Sequence, residues 1–252
     1  MNTCTKLFTS TLGKKLVMAV SGLVLFLFVV GHLVGNLQFF LPPEAINRYG
    51  YFLQSNLELL WPARIILLGM IGLHVWSAIS LSLENQAARP DAYAIPPRFG
   101  SSLASRTMLV SGLVAGTFVL YHLLHYTVMV QAVSGASVPL AALQDPQTGH
   151  HDVFAMMVAG FSIWYVSLFY LLGVGLLCFH LSHGFGAMFQ SLGLRNPVYS
   201  PLLIKASRII AVTLFLGYAS IPTAVLLGRG QDYLKKVVNT AAARQVGKEA
   251  AK

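Results

Sequence analysis

The sequence predicts an all-α integral membrane protein, built as a bundle of five transmembrane helices. Of its 252 residues, 56% are hydrophobic and 10% are charged, whereas about 25% are charged in an ordinary soluble domain. The mean hydropathy is +0.67. Five apolar stretches approach the length of about 20 residues that a helix needs to cross a hydrocarbon core. These predicted spans cover about residues 17–40, 61–83, 107–131, 154–182 and 206–228.

The spans divide the chain into three predicted segments. Residues 1–16 form a cytoplasmic N-terminal segment, residues 17–228 the five-helix membrane domain, and residues 229–252 a basic tail. The first span follows two lysines, as a signal peptide does, but its apolar run is too long for one, so we expect it to be retained. The Pro-rich connection 83–102 predicts a largely extended loop, and residues 134–152 predict a long external loop.

Basic residues predict the orientation. Nine lie in the N-terminal segment and the loops on its side, and two lie in the opposite loops; this predicts a cytoplasmic N-terminus and an external C-terminus. The tail carries six further basic residues and opposes this assignment, but the first helix and the loops usually decide. The net charge of +9 predicts contact with anionic lipid headgroups or acidic partners, with no indication of nucleic acid.

Histidines inside the apolar segments are the main functional signal. Ionisable groups within spans are costly and usually mark a pathway or a ligand site. Three interpretations compete: a proton or metal pathway, axial ligation of haem, and hydrogen bonds that only cross-link helices. The span interiors contain no acid, which a transport pathway would normally add, so haem ligation is favoured. The six histidines concerned are His32, His74, His122, His125, His180 and His183.

The depth of four histidines in four spans favours haem further. At 1.5 Å per residue, His32 lies about 6 Å and His122 about 4 Å outward from the middle of their spans. His74 lies about 3 Å inward in the second span, and His180 lies well inward in the fourth. Two levels with two histidines each predict two bis-histidine haems. The pairs are His32 with His122 on the outer side and His74 with His180 on the inner side.

Three fragments carry a resemblance to a known family: KKLVMAVSGLVLFLFVVGHLVGNL, SRTMLVSGLVAGTFVLYHLLHYT, and DVFAMMVAGF followed by GLLCFHLSHGFGAMFQSLG. Over about residues 12–225 the chain resembles the di-haem cytochrome b membrane anchor of succinate:quinone oxidoreductases, of the single-chain five-helix type. The resemblance implies two b haems whose irons are held by the same two histidine pairs.

The resemblance also implies a choice within each histidine doublet. His122 lies ten residues after Gly112 and His180 lies four before Gly184, as the family's ligands do relative to their glycines. His125 and His183 then become neighbours of the ligands or partners of the haem propionates, because an i, i+3 spacing keeps both rings on nearly one helix face.

The implied function is electron transfer between an iron–sulfur subunit and a membrane quinone. The partners would be the flavoprotein and iron–sulfur subunits of a succinate dehydrogenase or fumarate reductase, the respiratory complex II of the tricarboxylic acid cycle, in a bacterial inner membrane. The chain has no flavin or dicarboxylate motif, so its own share would be the quinone-reactive step. The alternatives are a cytochrome b subunit of another membrane oxidoreductase and a histidine-lined proton or metal transporter.

Three further sites are weaker. Asn36, Gln38 and Glu58 are quinone-site candidates near the ends of the first two spans, although Glu58 is equally an acid favoured at a helix start. His150 and His151 lie in the external loop as a surface metal site or, as we favour, a solvated pair. Loop arginines could pair with propionates or with the soluble subunit, or serve only as solvated topology charges; these are Arg89, Arg98 and Arg106.

Overall fold

The computed structural model describes residues 3–88, 107–145 and 148–250, with side chains from residue 5 to residue 241 of these ranges. It is 83% helical and contains no strand in the part of the chain described. Five helices are long and apolar enough to cross a membrane, which confirms the predicted fold class of an all-α integral membrane protein. These candidate spans are Thr11–Phe40, Leu57–Ala87, Met108–Thr127, Trp164–Ser191 and Ser200–Leu226.

Shorter helices accompany the spans. The helix of the first span ends in a 3-10 turn at Gln38–Phe40, and that of the third ends in a π-helical turn at Leu123–Thr127. Large apolar side chains such as Leu27, Ile65 and Leu172 are exposed on the spans, as expected for surfaces that face lipid. In chain order the α-helices are α1 (Thr3–Thr9), α2 (Thr11–Leu37), α3 (Pro43–Ser55), α4 (Leu57–Ala87), α5 (Met108–His122), α6 (Gln131–Ser134), α7 (Val153–Phe161), α8 (Trp164–Ser191), α9 (Ser200–Leu226) and α10 (Gln231–Ala250).

The predicted fourth span, 154–182, is wrong at its start. The chain breaks at Ser162 between α7 and α8, and the candidate span begins at Trp164. Every residue of α7 from Phe154 to Phe161 is buried. A helix that is apolar on all sides is buried either in lipid or in protein, and hydropathy alone does not separate the two. The predicted extended loop 83–102 also needs correction, because α4 continues to Ala87; the part from residue 89 lies outside the described residues.

The chain forms two compact units. Unit 1 comprises Met1–His32, Trp61–Ala115 and Leu176–Leu214, and unit 2 comprises Leu33–Leu60, Gly116–Gly175 and Phe215–Lys252. Unit 1 contains His74 and His180, and unit 2 contains His122 and His125. In unit 1, Lys14 near the start of α2 forms an ion pair with Glu84 in the last turn of α4.

In unit 2 the predicted loop 134–152 and the basic tail pack against other parts of the chain. The tail forms α10, and Val237 of α10 packs with Leu140, Leu143 and Met156 in one hydrophobic cluster. Both elements therefore contribute to the core of this unit.

Asp152 joins α7 to its surroundings in unit 2. Its buried carboxylate accepts hydrogen bonds from the Ala155 amide (2.9 Å), from Asn47 Nδ2 (3.0 Å) and from the Tyr233 hydroxyl (2.8 Å). A buried carboxylate is stable only with such partners. Burial and the bond to Asp152 raise the pKa of Tyr233. The residue is thus an N-cap that ties α7 to α3 and α10.

His150 and His151 lie in the predicted loop 134–152. Among the described residues no group of three or more His, Cys, Asp or Glu side chains is arranged to hold a metal ion. His150 packs edge-on against Tyr51, with ring centroids 4.7 Å apart. His151 is half-buried, and its Nδ1 is a buried atom with no hydrogen-bond partner. The ring of His150 therefore packs on Tyr51 and the ring of His151 is partly buried, so neither side chain is fully solvated.

Candidate functional site

Two histidines from different spans lie close together in unit 1. His74 of α4 and His180 of α8 have ring centroids 6.3 Å apart and ring planes at 74°. Both rings are half-buried. The two predicted ligands of the inner pair therefore lie together within one unit.

Hydrogen bonds fix the proton on the ring of His74. Its Nδ1 lies 3.2 Å from the Met18 carbonyl oxygen and 3.4 Å from Ser21 Oγ. A carbonyl oxygen only accepts hydrogen bonds, so we assign the ring hydrogen to Nδ1. The hydroxyl of Ser21 donates to the Val17 carbonyl at 2.7 Å, and its oxygen is therefore also an acceptor toward the ring. Nε2 then carries the lone pair that a metal ligand requires.

His180 is held in the same way. Its Nδ1 lies 3.2 Å from Ser111 Oγ, and the Ser111 hydroxyl donates to the Met108 carbonyl at 3.1 Å. Since the hydroxyl hydrogen is engaged, the ring donates from Nδ1–H to Ser111. The Met108 carbonyl is a further hydrogen-bond partner of the same ring. Both histidines thus have the same tautomer, with Nε2 as the free lone pair.

Two glycines lie against the edges of these rings. A Cβ at Gly22 would lie 3.1 Å from His74 Cε1, and a Cβ at Gly112 would lie 3.2 Å from His180 Cε1. These separations are tighter than nine in ten real Cβ contacts. The helices approach the imidazoles closely because neither position has a side chain.

The residues that hold the two rings belong to a repeated sequence. Residues 18–24 read MAVSGLV and residues 108–114 read MLVSGLV, which differ only at the second position. In each copy the Met carbonyl, the Ser hydroxyl and the Gly contact the histidine of the next span. The sequence analysis did not predict this role for the two heptapeptides. The matching heptapeptides were the available signal.

The donor set of this pair fits the axial ligands of one haem. The 6.3 Å between the two ring centroids leaves room for one metal ion that both rings could bind. Metal-bound histidines usually donate their other ring N–H to a carbonyl or similar group, as both rings do here.

In unit 2 the two histidines of the third span differ in burial. His125 is fully buried and lies in the π-helical turn, and its ring stacks on Tyr126 with centroids 4.1 Å apart. The Tyr170 hydroxyl lies 2.9 Å from His125 Nδ1 and 3.3 Å from His122 Nδ1. His122 is only half-buried. The Nε2 atom of the buried His125 has no hydrogen-bond partner, so the assignment of His122 as the ligand of this doublet stays a prediction.

The remaining histidines of the predicted haem sites are His32 and His183. His32 of unit 1 is half-buried and stacks on Phe28, with centroids 5.3 Å apart. Its pairing with His122 stays a prediction. His183 lies one turn beyond His180 on α8 and is half-buried. It stays a candidate neighbour of the ligand.

The quinone-site candidates receive less support. Asn36 and Gln38 are half-buried at the end of the first span, whereas Glu58 is exposed in the first turn of α4. That position favours an acid through the helix dipole alone. Asn47 of α3 is engaged with Asp152 and the Phe154 amide. The three loop arginines, Arg89, Arg98 and Arg106, lie outside the described residues.

These features define a class of protein: an all-helical membrane protein with paired imidazoles between its spans. No family model matches the chain, and neither a curated protein nor a solved structure matches it.

Proposed function

We propose that this chain is the di-haem b membrane anchor of a succinate:quinone oxidoreductase. It would pass electrons between an iron–sulfur subunit and a membrane quinone through two bis-histidine haems. One observation carries the proposal: the ring centroids of His74 and His180 lie 6.3 Å apart, and both rings have Nδ1 engaged in a hydrogen bond.

The chain's residues would each have a defined part. His74 and His180 would hold the inner haem through Nε2, and His32 and His122 would hold the outer one. Haem, when bound, supplies one-electron redox chemistry. Two imidazoles per haem would favour electron transfer over oxygen binding. Gly22 and Gly112 allow the helices to lie close to the ligand rings.

The acids of the spans argue against a transport pathway. Within the five described candidate spans the only acidic residues are Glu58 and Glu84. Glu58 is exposed at the start of α4, and Glu84 is paired with Lys14 in the last turn of the same helix. A proton or cation pathway normally adds buried carboxylates between its histidines. The absence of such groups from the span interiors supports haem ligation.

The test is the haem content of the complex purified with its native partners. We expect a reduced-minus-oxidised spectrum of b type and two haems per chain in a pyridine haemochrome assay. His74→Ala and His180→Ala should each lower the count to one. His150→Ala is the matched control, because that ring lies outside the spans and should leave both haems in place. A folded but colourless complex would refute the proposal.

The partners identify the enzyme complex. Co-purification of a flavoprotein and an iron–sulfur subunit, with haem reduction by succinate, would establish the anchor function. A haem-containing chain that co-purifies with other redox subunits would instead belong to another membrane oxidoreductase. Metal-dependent uptake into vesicles without visible absorbance would favour the transporter.

A further inference from the structure

The repeated heptapeptides hold two imidazoles through the same set of atoms. We propose that Ser21 and Ser111 are positioning residues: they fix His74 and His180 as the Nδ1–H tautomer and set the strength with which both rings bind the iron between them. This inference rests on the proposed function.

Each serine hydroxyl acts toward its imidazole as a hydrogen-bond acceptor, because its hydrogen is donated elsewhere. The Ser21 hydroxyl donates to the Val17 carbonyl (2.7 Å) and the Ser111 hydroxyl donates to the Met108 carbonyl (3.1 Å). The lone pairs of the serine oxygen then point toward Nδ1 of the ring. If the ring hydrogen were on Nε2 instead, the Nδ1 lone pair would lie opposite the serine lone pairs, which is repulsive. Ser21 is 1% exposed and Ser111 is 6% exposed. If either serine is replaced by alanine, water therefore does not take the place of the serine oxygen as the ring's hydrogen-bond acceptor.

Hydrogen bonding at Nδ1 changes the ring as a ligand. A donated Nδ1–H bond increases electron density on the imidazole and makes Nε2 more basic. A more basic axial ligand stabilises ferric iron over ferrous iron and lowers the reduction potential. Loss of the serine oxygen should therefore raise the potential of the haem that His74 and His180 share.

The two serines should differ in effect. Ser111 Oγ lies 3.2 Å from His180 Nδ1, a normal hydrogen-bond distance. For His74 the Met18 carbonyl is the nearer partner at 3.2 Å, and Ser21 Oγ lies at 3.4 Å. A Met carbonyl stays with each ring when the serine is removed, Met18 with His74 and Met108 with His180, but Ser111 Oγ lies closer to its ring than Ser21 Oγ does. Ser111→Ala should thus have the larger effect.

The repeat also gives α2 and α5 a double role. In each helix a histidine follows ten residues after the glycine, His32 after Gly22 and His122 after Gly112. One helix therefore positions a ligand of the inner pair through its serine and itself carries a predicted ligand of the outer pair. A substitution at the serine should change only the potential of the inner haem.

The experiment is an anaerobic redox titration of the assembled complex, followed through the haem absorption bands. We expect Ser111→Ala to retain two haems and to shift one midpoint potential upward. The shift should correspond to a two- to tenfold change in the reduced-to-oxidised ratio, about 20–60 mV at 59 mV per tenfold. Ser21→Ala should shift the same potential by less, and Ser111→Thr, which keeps the hydroxyl, should restore it.

Matched controls remove the same group from buried serines that do not contact an imidazole. Ser207 donates to the Ile204 carbonyl and Ser77 donates to the His74 carbonyl, each within its own helix. Ser207→Ala and Ser77→Ala should leave both potentials unchanged. An equal shift in these controls would show that loss of packing, not the bond to the ring, moves the potential, and would overturn the inference.

The outcomes separate this inference from the proposed function. Two haems with unchanged potentials in Ser21→Ala and Ser111→Ala would overturn the inference and leave the function standing. A wild-type complex without haem would refute the function itself. If Ser111→Ala loses a haem, recovery in Ser111→Thr supports the positioning role, whereas failure to recover overturns it.

Discussion

Replacement of Gly112 by alanine tests the contact between α5 and the ring of His180. The new Cβ would lie 3.2 Å from His180 Cε1 and 3.6 Å from Nδ1. At such a separation the neighbour must move by a few tenths of an ångström. The ring is the mobile partner, because α5 is a continuous helix at this position.

The displacement is large on the scale of a metal–ligand bond. Plausible metal–ligand distances vary within about 0.2 Å, so the expected ring shift takes His180 outside the range of a strong bond. Disturbance of groups behind a ligand typically lowers metal affinity 10- to 100-fold, and tenfold corresponds to about 1.4 kcal/mol. Alanine in a helix interior is more favourable than glycine by about 0.5–1 kcal/mol. Loss of helix stability would therefore not explain a loss of haem.

The assay is haem retention and midpoint potential in the purified complex. We expect Gly112→Ala to bind the inner haem at least tenfold more weakly and to leave the outer haem unchanged. Gly69→Ala is the matched control: its Cβ would meet nothing within 4 Å, and Gly69 lies on a different face of α4 from His74. Full occupancy with an unchanged spectrum in Gly112→Ala would refute the close packing of this helix on the ligand.

Three other predictions concern the histidine doublets and unit 2. His183→Ala should keep both haems, whereas His180→Ala keeps one; the reverse result in the haemochrome count would exchange their roles. Asn47→Ala should lower the free energy of unfolding by about 1–3 kcal/mol, because a buried donor to Asp152 and an acceptor for the Phe154 amide are lost together; thermal unfolding measures this, and an unchanged midpoint contradicts it. The pKa of Tyr233 is raised in the folded chain, so its bond to Asp152 stabilises α10 below the ordinary tyrosine pKa of about 10 and is lost as pH rises through the folded value. In the wild type, the protection of α10 against protease should thus fall at alkaline pH. In Tyr233→Phe, α10 should be less protected at neutral pH, and the part of the alkaline fall that depends on the tyrosine should be absent.

The spans could be predicted because hydropathy is a local property of the sequence. Hydropathy over about 20 residues is read from consecutive residues, and all five candidate spans overlap the predicted ones. The histidines were candidates for the same reason: an ionisable ring is unusual in such a window. Their approximate depth also follows from sequence, because each residue of a helix adds a fixed rise.

The sequence did not predict the burial of α7. Its residues are as apolar as those of a span, but protein surrounds them instead of lipid. The transfer of an apolar side chain from water is favourable in either case, so composition gives the same signal. The burial of Asp152 was missed for a related reason, since its partners Asn47 and Tyr233 are distant in sequence.

The sequence by itself determined that this protein is a bundle of apolar helices with histidines inside it, because hydrophobic length and residue type are properties of a single segment. Only the tertiary structure decided which rings lie close together and which nitrogen of each ring is engaged in a hydrogen bond. His74 and His180 lie on different helices, and their tautomers are set by Met18, Ser21 and Ser111 on two further helices. Hydrogen bonds and packing between distant segments exist only once the chain has folded.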